Sequence, residues 1–128
     1  MILTTVVVGC AALQLSYYDP TTFRSLTALK PKVAMLYQSF TQESVNPDKI
    51  AEIGLELAQV YEYERGKGEP NRETARQVQI IREMFDRHVD HRLKQGRWST
   101  AFMQNVQQNI QDAFDIAIRT ERLKNKNE

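Results

Sequence analysis

The residues with the clearest capacity for chemistry are two histidines three positions apart, His88 and His91, which stand among acidic residues. On a helix this spacing places both imidazoles on one side, where they could bind a metal ion with a carboxylate from a neighbouring helix. The chain has no second motif of this kind and no HExxH sequence. We therefore predict no metal site, with His88 packed at the edge of the core and His91 facing solvent. A site that uses these two residues is the alternative. The acidic residues nearby are Glu83, Asp86 and Asp90.

Other kinds of catalytic or cofactor site have even less support. The sequence lacks the CxxCH motif for haem attachment and the GxSxG turn of a hydrolase. The stretch Gly66-Lys67-Gly68-Glu69 lacks the spacing of a phosphate-binding loop. We predict that the protein is not an enzyme and has no cofactor. The net charge of +1, from 17 basic and 16 acidic residues, also argues against a nucleic-acid partner.

Two aromatic residues are candidates for contact with a protein partner. Trp98 stands at the predicted start of the last helix, where its ring either plugs the end of the bundle or is exposed as a binding anchor. Tyr63 lies near the end of the second helix, and the helical period places it outward while Tyr61 points inward. Arginines crowd the third helix, but acidic residues alternate with them, as on an ordinary solvated face.

Capping residues divide the charged part of the chain into four helices. The first carries Pro31, which predicts either a kink or a fresh start capped by Thr27. Two glycines and a proline between residues 64 and 70 end the second helix, and Gly96 ends the third. The four helix starts are predicted at Asp19-Pro20, at Asn46-Pro47, at Asn71, and at Ser99 or Thr100.

Each predicted helix has one apolar stripe at steps of three and four residues. Short connections favour antiparallel neighbours, so we predict an all-α, up-and-down four-helix bundle over residues 19–124. Residues 125–128 form a polar tail, and residues 1–18 form an apolar signal or anchor segment with a short linker. No internal repeat is evident.

The N-terminal segment is set apart because residues 1–18 contain no charged side chain. The apolar run has the length of the hydrophobic region of a secretory signal and is short for a membrane-spanning helix. It contains the only cysteine, Cys10, in the sequence Val7-Val8-Gly9-Cys10.

These four residues resemble the lipobox of bacterial lipoproteins. The resemblance implies that Cys10 is acylated, with palmitate or a similar fatty acid, and becomes the first residue after the signal peptide is removed. The run lacks the basic residues that begin such signals, so we expect the natural start upstream of Met1. The alternatives are a signal without lipid, or a buried helix over residues 6–15 that holds Cys10 as a core thiol.

From this location we expect a lipid-anchored protein of the bacterial cell envelope that faces the periplasm. Its expected role is that of a non-enzymatic accessory module that binds an envelope protein, because a rigid helical face needs no catalytic motif. The alternative function is a carrier that binds a ligand or metal in the interior of the bundle, around Met84, His88 and His91.

Overall fold

The computed structural model describes residues 16–126, which form four α-helices and contain no β-strand. This confirms the predicted all-α class. A short 3-10 turn, Glu69–Asn71, precedes the third helix. The helices are α1 (Pro20–Ser39), α2 (Pro47–Gly66), α3 (Arg72–Gln95) and α4 (Thr100–Arg122).

Side chains at the predicted starts cap three of the four helices. A carboxylate oxygen of Asp19 accepts a hydrogen bond from the Thr21 amide at 2.8 Å, and the Asn46 side chain accepts bonds from the first turn of α2. Ser99 Oγ accepts a bond from the Phe102 amide at 3.1 Å. Each side chain satisfies an amide that the helix itself leaves unpaired.

The α1 helix runs without interruption through Pro31. The alternative of a fresh helix start at Thr27 is therefore wrong. The Thr27 hydroxyl donates to the carbonyl of Phe23, four residues earlier, as a residue inside a helix does.

The helices pack in the order of an up-and-down bundle. Each helix lies against the next one in the chain, and α4 returns to α1. One core is built from all four stripes, with Leu29, Leu57, Ile81 and Phe114 among its fully buried members. Among the helices formed by residues 16–126, none combines the length and the apolar character that crossing a bilayer requires.

Arg92 fastens α3 to the end of α1. It belongs to the apolar stripe of α3, and only 5% of its surface is exposed. Its guanidinium donates to the carbonyls of Phe40 at 3.1 Å, Gln42 at 2.7 Å and Glu43 at 3.0 Å. Nε and Nη2 of this buried cation are thus hydrogen-bonded, and the carbonyls after α1 gain partners that the helix no longer supplies.

The antiparallel order creates two different ends. At one end α1 and α3 begin while α2 and α4 finish, and we call it the polar end because buried charged groups gather there. At the other end, the aromatic end, Tyr37, Phe40, Trp98 and Phe102 pack together, with ring centroids 5.0–5.7 Å apart in the closest pairs.

Candidate functional site

The two histidines of the predicted alternative metal site are both engaged with aromatic side chains. His88 Nδ1 lies 2.7 Å from the hydroxyl of Tyr37, and His91 Nδ1 accepts a bond from Trp98 Nε1 at 3.1 Å. Burial lowers the pKa of His88 to about 4, and the neighbouring charge of Arg87 acts in the same direction. His88 is half-buried at the core edge and His91 is exposed, as predicted. Within residues 16–126, no three His, Cys, Asp or Glu side chains converge on a point where a metal could bind.

The interpretation of Trp98 as an exposed partner contact is wrong. Only 3% of its surface is exposed, and its ring stands edge-on to both Tyr37 and Phe40. The bond to His91 satisfies its only polar atom, which is what a buried indole requires. Trp98 therefore plugs the aromatic end, the other reading that the sequence left open.

Of the other two predicted positions, Tyr63 and Cys10, the structure describes only Tyr63. Tyr63 lies on the surface, 46% exposed, and its hydroxyl donates to Asp19 at 2.6 Å. The Asp19 carboxylate accepts this bond, so Tyr63 can offer a partner its ring more readily than its hydroxyl. Cys10, the predicted lipidation site, lies outside the described residues.

The polar end contains a feature that sequence reasoning missed, a fully buried carboxylate on Glu64. Thr22 of α1 donates a hydrogen bond to it, and Asn71 Nδ2 donates another at 2.7 Å. Lys67, one turn further along the chain, lies 3.3 Å away and supplies a positive charge. Three helix ends are thus joined at one buried acid, whose charge is both paired and hydrogen-bonded.

Glu121 forms a second centre of the same kind at the end of α4. It too is fully buried, it accepts a bond from the Asp19 amide at 2.6 Å, and it pairs with Lys124 at 2.7 Å. Lys124 also donates to the side-chain oxygen of Asn71 at 2.7 Å. Asn71 therefore links the two centres and makes no cap bond to α3, which corrects the prediction that its side chain caps this helix.

The two halves of the bundle build the polar end from matching sequences. Asp19-x-x-Thr22-x-Arg24 begins α1, and Asn71-x-x-Thr74-x-Arg76 begins α3. Glu64-Arg65-x-Lys67 ends α2, and Glu121-Arg122-x-Lys124 ends α4. This local repeat escaped the sequence analysis because the stretches between the matching positions share little. The match is incomplete in structure, since the buried Thr74 hydroxyl has no hydrogen-bond partner whereas Thr22 donates to Glu64.

The Asp19 carboxylate interacts with several polar and charged groups of the polar end. Burial alone would raise the pKa of this carboxyl, but hydrogen bonds from Tyr63, Lys67 and the Thr21 amide outweigh burial and hold the pKa well below its usual range. Lys67 lies 2.9 Å from Asp19 and 3.3 Å from Glu64, so one ammonium serves two carboxylates. Asp19 therefore stays ionised throughout the neutral range.

A groove between α1 and α2 is another kind of candidate site on the described surface. Leu36 and Ile53 form its floor, Met35 stands at its edge with 71% of its surface exposed, and the volume is about 280 Å³. Lys32 and Lys49 flank the opening. The lining is mostly apolar, a composition suited to an apolar side chain or a helix face.

The chain was compared with models of protein families, with curated proteins and with solved structures. None of these comparisons found a match.

The two sites differ in what they can do chemically. Glu64 and Glu121 are closed off from solvent by their own partners, so they serve to lock helix ends together. A general acid or base needs access to its substrate, and these buried carboxylates have none in this arrangement. The α1–α2 groove, in contrast, is open and presents mostly apolar surface. It is suited to binding.

Proposed function

We propose that the protein is a lipid-anchored component of a bacterial cell envelope that faces the periplasm, and that its helical bundle binds another protein without catalysing a reaction. The lipobox-like sequence that ends at Cys10 supports the anchor. The single observation that supports binding is the apolar α1–α2 groove with the exposed Met35 beside it.

The groove has the properties of a binding surface for an amphipathic helix. Its apolar floor would cover the apolar face of such a helix. Lys32 pairs with Glu56 and Lys49 pairs with Glu52, so charges of both signs border the groove and could meet polar residues beside that face. Methionine is unbranched and polarizable, so Met35 can adapt to the shape of a partner. The locked polar end supports the same role, because it holds α1 and α2 in a fixed relation through Thr22, Glu64 and Lys67.

The anchor is tested by intact mass spectrometry of the full chain made in a bacterial host. We expect a lipid-modified mature protein that begins at Cys10, and a Cys10→Ser variant that carries no lipid. An unmodified cysteine with the leader still attached would exclude a lipoprotein.

The binding surface is tested with a photoreactive amino acid at position 35, with the same group at Ile116 as a matched control. Ile116 is a 51% exposed residue of α4, which lies outside the groove. We expect cross-linking in the envelope to give one discrete protein adduct at position 35 and none at position 116. A second variant, Met35→Lys, should abolish capture of that protein in pull-downs while the folded state is retained, because exposed positions tolerate such changes.

Equal adducts at both positions, or none at position 35, would refute the groove as the binding surface. A small molecule that co-purifies while no protein adduct forms would favour a carrier.

A further inference from the structure

The first and last described segments of the chain lie side by side on the polar end. The Tyr18 amide donates to the carbonyl of Asn125 at 2.9 Å, and the Ser16 amide donates to the carbonyl of Pro70 at 3.1 Å. The first bond holds Tyr18 beside the residues that follow α4, and the second holds Ser16 beside the 3-10 turn before α3. We call the outer surface of residues 16–18 and 122–126 the terminal face.

The terminal face combines exposed apolar side chains with exposed cations. Tyr17 is 59% exposed and Leu123 is 76% exposed, the largest value among the large apolar residues that the structure describes. Arg122 and Lys126 are exposed beside them, and the Lys126 ammonium lies 5.4 Å from the centroid of the Tyr18 ring. Tyrosine, leucine and basic residues together are the composition that proteins use at the interface between water and lipid headgroups.

The positive charge of this face is not cancelled by the buried acids beneath it. Glu121 pairs with Lys124, and Glu64 and Asp19 share Lys67, so each of these carboxylates has a lysine partner other than Arg122 and Lys126. Among the described residues, Arg122 and Lys126 form no ion pair within 4.0 Å. As far as residues 16–126 are concerned, the two outward cations are therefore available to an anionic partner.

The position of Ser16 relates this face to the proposed anchor. Six residue steps separate Cys10 from Ser16, and such a segment spans at most about 20 Å when fully extended. The 24 residues of α3 extend about 36 Å towards the aromatic end, at 1.5 Å per residue. A lipid on Cys10 would thus keep the terminal face near the bilayer, with the aromatic end directed away from it.

We propose that the terminal face binds the surface of a membrane that contains anionic phospholipids. Arg122 and Lys126 contact the phosphate groups, while Tyr17 and Leu123 enter the headgroup region. The orientation of the bundle on the membrane rests on the proposed lipid anchor, whereas the affinity for anionic lipid rests on the exposed residues of the terminal face. Contact at this face would fix which way the bundle stands and would leave the α1–α2 groove open to a partner.

The test uses the full chain with Cys10→Ser, which removes any lipid, in flotation with vesicles of phosphatidylcholine alone or mixed with phosphatidylglycerol. We expect binding to be stronger to the anionic vesicles and to weaken as salt is raised. The double variant Arg122→Gln and Lys126→Gln should bind the anionic vesicles about 30-fold more weakly, since each cation near such a surface contributes about fivefold. Binding to neutral vesicles should not change.

A second variant separates the apolar contribution, and a matched control tests position. Tyr17→Ser with Leu123→Ser should weaken binding to both kinds of vesicle. The control is Leu93→Ser with Arg97→Gln, which removes one exposed apolar residue and one exposed cation at the other end of the bundle. It should bind like the parent protein. Circular dichroism verifies that each variant is folded.

Equal binding by the charge variant and the parent, or an equal loss in the control, would overturn the proposal. Failure of the anchor gives a different result. An unmodified Cys10 in mass spectrometry would refute the lipoprotein. The vesicle assay uses a protein that cannot be acylated, and because all its variants share the same apolar N-terminal segment, the difference between them reports on the terminal face.

Discussion

Replacing Glu64 by glutamine tests whether the polar end holds the bundle together. The Glu64→Gln variant keeps the size of the side chain but removes its charge and turns one acceptor oxygen into a donor. The carboxylate lies fully buried among donors from Thr22, Lys67 and Asn71. One of these donors must then face an amide NH2 group and lose its acceptor.

The expected loss of stability follows from the bonds that change. A hydrogen bond to a charged group contributes about 1.5–3 kcal/mol, and a buried donor without a partner costs about 1–3 kcal/mol. Some compensation remains, because Lys67 keeps its ion pair with Asp19 at 2.9 Å and Asn71 Nδ2 keeps the backbone carbonyl of Glu64 at 2.9 Å. We therefore expect the free energy of unfolding to fall by about 2–4 kcal/mol.

Urea unfolding of the full chain at pH 7, followed by circular dichroism, measures this change. The matched control is Glu62→Gln, whose side chain is 63% exposed two residues earlier on the same helix. It should change the free energy of unfolding by less than about 0.5 kcal/mol. If Glu64→Gln lies as close to the parent as the control does, the buried carboxylate does not stabilise the polar end and the reasoning is wrong.

Three further predictions concern the aromatic end. Trp98→Ala should lower the free energy of unfolding by about 3–5 kcal/mol in the same urea assay, because the ring is 97% buried against Tyr37 and Phe40. Ser99→Ala should cost about 1 kcal/mol through loss of the α4 cap, and a normal urea midpoint would contradict this. The low pKa of His88, about 4, means that between roughly pH 6.5 and 4 the unfolded chain binds a proton there that the folded chain does not. The free energy of unfolding should therefore decrease as the pH is lowered from 6.5 to 4, and it should decrease less steeply in His88→Gln. An NMR titration of His88 with a midpoint near 6.5 would refute this prediction.

The helix boundaries were readable from the sequence because local chemistry sets them. Asn46 followed by Pro47 and Asp48 combines a cap, a residue with fixed φ and a favourable charge, and α2 begins there. The stripes were readable for a similar reason, since one helical period decides which residues face the core. The partners of Arg92, in contrast, could not be inferred, because the carbonyls that it binds follow another helix.

The buried acids of the polar end were missed because a lone charged residue is expected on the surface. Their position did carry a signal, since Glu64 continues the buried positions Ile53 and Leu57, and Glu121 continues Phe114 and Ala117. The repeat of Glu-Arg-x-Lys at the ends of two helices was the other available sign. The prediction that the Asn71 side chain caps α3 was wrong for a different reason. Its cap position was right, but its side chain instead bonds Glu64 of α2 and Lys124, which follows α4.

The contact of Arg92 with the turn after α1 bears on how that turn can evolve. The guanidinium recognises only the carbonyls of Phe40, Gln42 and Glu43, and every amino acid possesses a carbonyl. The residue types at positions 42 and 43 should therefore vary freely among homologues, with little effect on the contact between Arg92 and this turn. Arg92 should be invariant, and even lysine should not replace it, because a single ammonium group cannot reproduce the planar guanidinium that reaches three acceptors at once.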